Sequence, residues 1–148
     1  MQVASASAAV IALYSAMTAP LLTGAATFEA PLLSRLLYGG VTEEIIARWG
    51  LMSVLVWLSL RLLPHGDLPF VIGIAGAALI FAAGHLPLLF ALVSTPSIWL
   101  VAAVLLGNML VGIGFGWLYW RYGLEAAMVA HAGAHGIVYT VTLFGKAN

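Results

Sequence analysis

Thr42-Glu43-Glu44-Ile45-Ile46-Ala47-Arg48 opens directly into an apolar run from Trp49 to Leu60. The 148-residue chain carries five acidic and five basic side chains, and three of these ten sit in the seven positions of this stretch. Two adjacent carboxylates and an arginine therefore stand at the mouth of a hydrophobic helix. Charge is costly there, and an ionisable group inside a membrane span is by default a functional candidate. A plainer reading also exists: Thr42 caps the helix, and the glutamates favour its positive N-terminal end. Capping accounts neither for Arg48 one turn deeper nor for the histidines that interrupt other apolar segments.

The composition decides the class. Hydrophobic residues make up 64% and charged residues 7%, whereas an ordinary soluble domain is about 25% charged. So few charges cannot cover a water-exposed surface, so the chain reads as an integral membrane protein of a single domain, residues 1–148. The formal net charge is zero, which offers no basic surface for nucleic acid. There is no cysteine, which rules out disulfides, thiolate nucleophiles and cysteine metal sites.

A helix of about 20 apolar residues crosses a bilayer. By that rule spans fall at about 3–24, 42–63, 70–93, 98–120 and 124–144. The first lacks a basic leader and reads as a retained helix. Residues 27–38, with Glu29, Pro31 and Arg35, are too short to span and read as an interfacial segment, and Gly39-Gly40 reads as a break before the acidic stretch. The expectation is an all-α fold: a polytopic membrane helix bundle of about five transmembrane helices plus a short interfacial helix. Pro64-His65-Gly66-Asp67 and Ser94-Thr95-Pro96-Ser97 are turns, and Ser97 is placed to cap the fourth span. Trp117, Tyr119, Trp120 and Tyr122 form an aromatic belt. Gly112 and Gly116 have the spacing that lets membrane helices approach closely, and Gly73 with Gly76 and Gly133 with Gly136 read the same way.

The polar residues within the spans converge. His85 lies in the third span; His131 and His135 share one face of the fifth, four residues apart. At 1.5 Å per residue, Arg48 lies roughly 9 Å below the entry face, His85 roughly 12 Å, His135 roughly 13 Å and His131 roughly 20 Å, with Glu43 and Glu44 shallower. Carboxylates and histidines from three helices thus share one half of the bilayer, around a pocket open to one side. Carboxylate with histidine is an apparatus for activating water, and further donors stabilise an oxyanion. The same groups, Glu43, His85, His131 and His135, are a candidate zinc set, since His131 and His135 have the spacing of helical zinc ligands.

Glu-Glu-x-x-x-Arg at 43–48, Phe-x-x-x-His at 81–85 and His-x-x-x-His at 131–135 resemble, in order and context, the three motifs of the CPBP family. That family holds the type II CAAX prenyl proteases and the bacteriocin-processing and immunity (Abi-like) membrane proteins. The run from Gly116-Trp117-Leu118-Tyr119 through Gly123-Leu124 to His131 is similar to its link into the last motif. The resemblance covers about 42–138 and implies an intramembrane endopeptidase. In it Glu43 activates water with the help of His85, His131 and His135 stabilise the oxyanion, and Glu44 and Arg48 support the first motif. The family's last position is often Asn; His135 still offers a donor there. The resemblance further implies a peptide or protein substrate, membrane-associated, and an integral protein of the cell (inner) membrane with its active site facing the cytoplasm. The chain is short for this family, which leaves room for an oligomer. A different class fits the same residues: a non-catalytic membrane binding protein, such as an immunity factor or a metal or proton carrier. A carrier needs a path to both faces, and these groups gather towards one.

Overall fold

The computed structural model describes residues 30–63 and 66–145. The span expected at 3–24, together with Glu29, His65 and Lys146, lies outside the described residues. The rest is helical. Helix α1 runs Leu32–Leu62 and α2 Leu68–Ala83; α3 is the short Leu86–Leu92, α4 runs Ile98–Tyr122 and α5 Leu124–Gly145. Among the described residues, four helical stretches are long and apolar enough to cross a membrane, α2 and α3 together making the second. Large side chains such as Trp49, Leu62, Trp99 and Val129 are exposed on their outer faces. An apolar exterior of this extent belongs in lipid, and the chain is an integral membrane protein.

The four long elements close a ring: α1 packs on α2, α2 on α4, α4 on α5, and α5 back on the first half of α1. Small residues set the distances. A Cβ at Gly112 would lie 3.1 Å from the Cβ of Ala78, and one at Gly116 3.1 Å from Ile74, so the expected glycine pair on α4 is the seat of α2. Gly73 meets Val56 in the same way across α1 and α2. Between α4 and α5 the alanines Ala127, Ala130 and Ala134 are buried against Phe115 and Leu118. Gly133 and Gly136, expected to pack, meet nothing within 4 Å among the described residues. They sit beside the buried face of α5 rather than on it.

Two boundaries differ from the expected ones. The segment ahead of Gly39-Gly40 is not a separate interfacial helix, because α1 continues through both glycines as one rod of 31 residues. The reason is tertiary. A Cβ at Gly40 would stand 2.6 Å from that of Ala132, and one at Gly39 2.5 Å from Nε2 of His135. These glycines clear the path of α5 rather than end a helix. Through Arg35–Thr42 and Ile45–Met52 the helix is wound as a π-helix, and the hydroxyls of Thr42 and Ser53 donate to the carbonyls of Leu37 and Arg48, five residues back. Such wide turns are rare and concentrate at functional sites, where they re-aim side chains.

The second difference is in the expected third span, which breaks at Gly84-His85 between α2 and α3. Pro87, in the first turn of α3, cannot donate a helical hydrogen bond, and its ring crowds the carbonyl four residues back. His85 therefore sits at a corner rather than within a helix. Ser97 caps α4 as expected, accepting from the backbone N–H of Leu100 at 3.2 Å. Gly123 ends α4 at φ 90°, ψ 176°, a conformation open in practice only to glycine.

Replacing Gly40 with Val forces α1 off α5 and is expected to cost about 1–3 kcal/mol. Gly133→Ala, with open space before it, is expected to stay within about 0.5 kcal/mol of the parent. Equilibrium unfolding in mixed micelles checks both, and equal losses at the two positions would contradict this account of the α1–α5 contact.

Candidate functional site

The site begins with a carboxylate that has no access to solvent. Glu44 and Arg48 are both 0% exposed. Burying one such ion costs several kcal/mol, so the carboxylate needs partners for both oxygens. Nε of Arg48 donates to Glu44 Oε2 at 3.0 Å, and Nδ1 of His131, from α5, lies 2.8 Å from Oε1. An ionised carboxylate only accepts, so His131 donates from Nδ1. Its Nε2 then bears a lone pair when the ring is neutral and a proton when the ring is charged.

Aromatic rings hold this chain of polar groups from the sides. The His131 ring stacks on Phe115 with centroids 4.5 Å apart and on His135 at 4.9 Å. Phe81 presents its edge to His85 at 4.7 Å, and the Arg48 guanidinium lies 5.2 Å over the Phe81 ring. Nη1 and Nη2 of Arg48 have no hydrogen-bond partner among the described residues, so the Phe81 face supplies the compensating attraction seen there.

His85 is oriented by its own turn. Its Nδ1 donates to the Phe81 carbonyl at 2.8 Å, which puts the lone pair of a neutral ring on Nε2. A cavity of about 220 Å³ is bordered by Glu43, Phe81, His85, Asn108, His131 and His135. Glu43 and Glu44 are neighbours with different fates: Glu44 is sealed behind the cavity wall, and Glu43 faces the cavity. Counting rise per residue set the glutamates shallower than His131, yet Glu44 and His131 touch. All six residues singled out from the sequence are brought into one cluster: Glu43, His85, His131 and His135 on the cavity, Glu44 and Arg48 behind it.

Three contributors were missed. Asn108 on α4 lines the cavity and donates from Nδ2 to the Val104 carbonyl at 2.8 Å; its signal was an amide inside an apolar span. Gly39, read as a chain break, leaves the space that His135 occupies. Phe115, whose ring covers His131, left no signal, because a phenylalanine in a membrane helix looks like any other apolar residue.

The candidate zinc set was Glu43, His85, His131 and His135. Among the described residues, no three His, Asp or Glu side chains converge closely enough to hold a metal ion. One oxygen of Glu44 and Nδ1 of His131 are engaged with each other. The side chains of that set line one cavity but are not drawn together around a single point.

A ring of apolar helices around a sealed ion pair and a carboxylate–histidine cavity defines an integral membrane protein with a polar site enclosed within its bundle. The chain belongs to the Rce1-like type II CAAX prenyl endopeptidase family, whose model matches residues 25–137. No curated protein and no solved structure matches it.

Removing Arg48 alone strands a buried carboxylate. Arg48→Met is therefore expected to lose about 3–5 kcal/mol of stability. The double substitution Glu44→Gln with Arg48→Met, which removes both charges, should recover most of that loss. Unfolding of the four proteins in one double-mutant cycle measures the coupling. An uncoupled, additive result would contradict the pair's assigned role.

Proposed function

We propose that the protein is an intramembrane endopeptidase of the CAAX prenyl protease type, hydrolysing a peptide bond with water activated by Glu43 and His85. The observation that carries this reading is the shared cavity: one free carboxylate and three histidines line the same space. The pocket opens to the cytoplasmic side of the cell (inner) membrane in this reading. The substrate is a peptide or protein segment presented at the membrane.

The mechanism follows from where protons sit. A water in the cavity is held between the Glu43 carboxylate and the His85 lone pair on Nε2. Glu43 takes its proton as the oxygen attacks the scissile carbonyl. Negative charge builds on the carbonyl oxygen, and the donors meet it there. In this scheme the His131 ring carries both protons, one held by Glu44 Oε1 and the other, on Nε2, donated to the oxyanion, and His135 supplies a second hydrogen bond. Glu43 then returns the proton to the departing amine, and the C–N bond breaks. Glu44 and Arg48 do not touch the substrate in this scheme; they hold His131 in the donating orientation. Apolar walls around the cavity strengthen each of these interactions by excluding bulk water.

Cleavage of a quenched peptide library by the purified protein in lipid vesicles is the test. Glu43→Ala is expected to slow cleavage on the order of a hundred- to ten-thousandfold, and His131→Ala on the order of a hundred- to thousandfold. His85→Ala should fall with Glu43→Ala. A chelator is expected to leave the parent rate unchanged; loss that zinc restores would instead recast Glu43, His85, His131 and His135 as ligands. No cleavage by the parent, with all variants equally folded, would favour a non-catalytic binding protein.

A further inference from the structure

A second cavity lies at the other end of the bundle. Arg61 is 17 positions beyond Glu44 along α1, roughly 26 Å at the helical rise. Here α1, α2 and α4 leave a groove of about 400 Å³ between them. Its walls are Val56, Trp57 and Leu60 from α1, Phe70 from α2 and Trp120 from α4. Phe70 and Trp120 stack at 5.2 Å. Towards the bilayer centre the groove reaches Ser53, whose hydroxyl meets Tyr119 OH at 2.9 Å, so these two polar groups satisfy each other and leave the walls apolar in character.

The mouth is different. The Arg61 guanidinium lies 4.3 Å from the Trp57 ring centroid, and that of Arg121 4.7 Å from Trp120. Both tryptophans are walls of the groove, so each side wall carries one cation. Asp67 and Glu125 lie at the same end of the bundle, yet neither arginine forms an ion pair with a carboxylate among the described residues. Both arginines are exposed. The cation–π contact leaves the donor edges of a guanidinium free for an anion.

An apolar slot whose two tryptophan walls each carry a guanidinium, in the last turns of α1 and α4, matches one kind of molecule in charge and shape. We propose that this groove is a binding site for an anionic phospholipid, with an acyl chain between Trp57, Phe70 and Trp120 and the phosphate between Arg61 and Arg121. The site stands apart from the catalytic cavity and does not depend on the activity assigned to it. A zwitterionic lipid fits the slot equally but gains less at the mouth, because its headgroup has no net charge.

The test uses the full chain carrying W49F, W99F and W117F, so that Trp57 and Trp120 are the only tryptophans, reconstituted in neutral lipid. Fluorescence quenching is titrated with phosphatidylglycerol or phosphatidylcholine brominated on the acyl chains. Half-quenching is expected at a mole fraction on the order of tenfold lower for the anionic lipid. R61Q with R121Q should abolish that preference while leaving the helical circular dichroism intact. On the protein with both arginines, raising ionic strength should narrow the preference, a readout that does not rely on the variants folding. Equal quenching by the two lipids would overturn the proposal, whether bulk lipid or another segment of the chain covers the groove. A preference that survives R61Q/R121Q, or is indifferent to salt, would overturn it as well.

Discussion

The buried line Arg48–Glu44–His131 is the interaction on which the rest of the bundle depends. A carboxylate with no solvent access cannot stay ionised among apolar helices without partners on both oxygens. One partner comes from its own helix, and the other from α5, 87 positions along the chain. That single requirement ties the first described helix to the last. It also fixes which nitrogen of His131 remains for the cavity, so a structural necessity becomes a statement about chemistry. Phe81 and Phe115 then follow, since a guanidinium and an imidazole in this setting need aromatic faces beside them.

Close approach is the second constraint. Lipid gives little hydrophobic drive for one helix to leave it for another, so contact area and backbone proximity must hold the ring together. Gly40 against Ala132, Gly73 against Val56 and Gly112 against Ala78 are where that proximity is achieved. Gly39 belongs to the same seam but serves the site, because it yields its side-chain volume to His135. Packing and site thus draw on one pair of adjacent glycines, which is why α1 runs through them without a break.

Much of this was legible before any coordinates. Spans announce themselves by apolar length, and the polar residues inside them are conspicuous because they are so few. The spans read at 98–120 and 124–144 came within a few residues of their observed bounds, whereas the one read at 42–63 begins at Leu32 and the one read at 70–93 breaks at Gly84-His85; Ser97 was recognisable as a cap from its place before an apolar run. What escaped had weaker or misleading local signals. Gly39-Gly40 carries the local signature of a break, and only the presence of α5 turns it into a contact. Pro87 did signal the corner at His85, but the apolar character of the surrounding residues masked it. Asn108 was visible as an amide, though nothing in its neighbourhood in the chain pointed to the cavity.

The amino-acid sequence by itself determined that this is a membrane protein of helices, and which six ionisable side chains had to find one another within it. Hydropathy and the rarity of charge suffice for that, since both are properties of composition along the chain. Only the tertiary structure decided how the two adjacent glutamates divide their roles. Glu43 faces the cavity and Glu44 is sealed against Arg48 and His131, because the wide turns of α1 and the approach of α5 determine where each side chain points. No local property distinguishes two neighbouring residues of the same kind; their environments, assembled from distant helices, do.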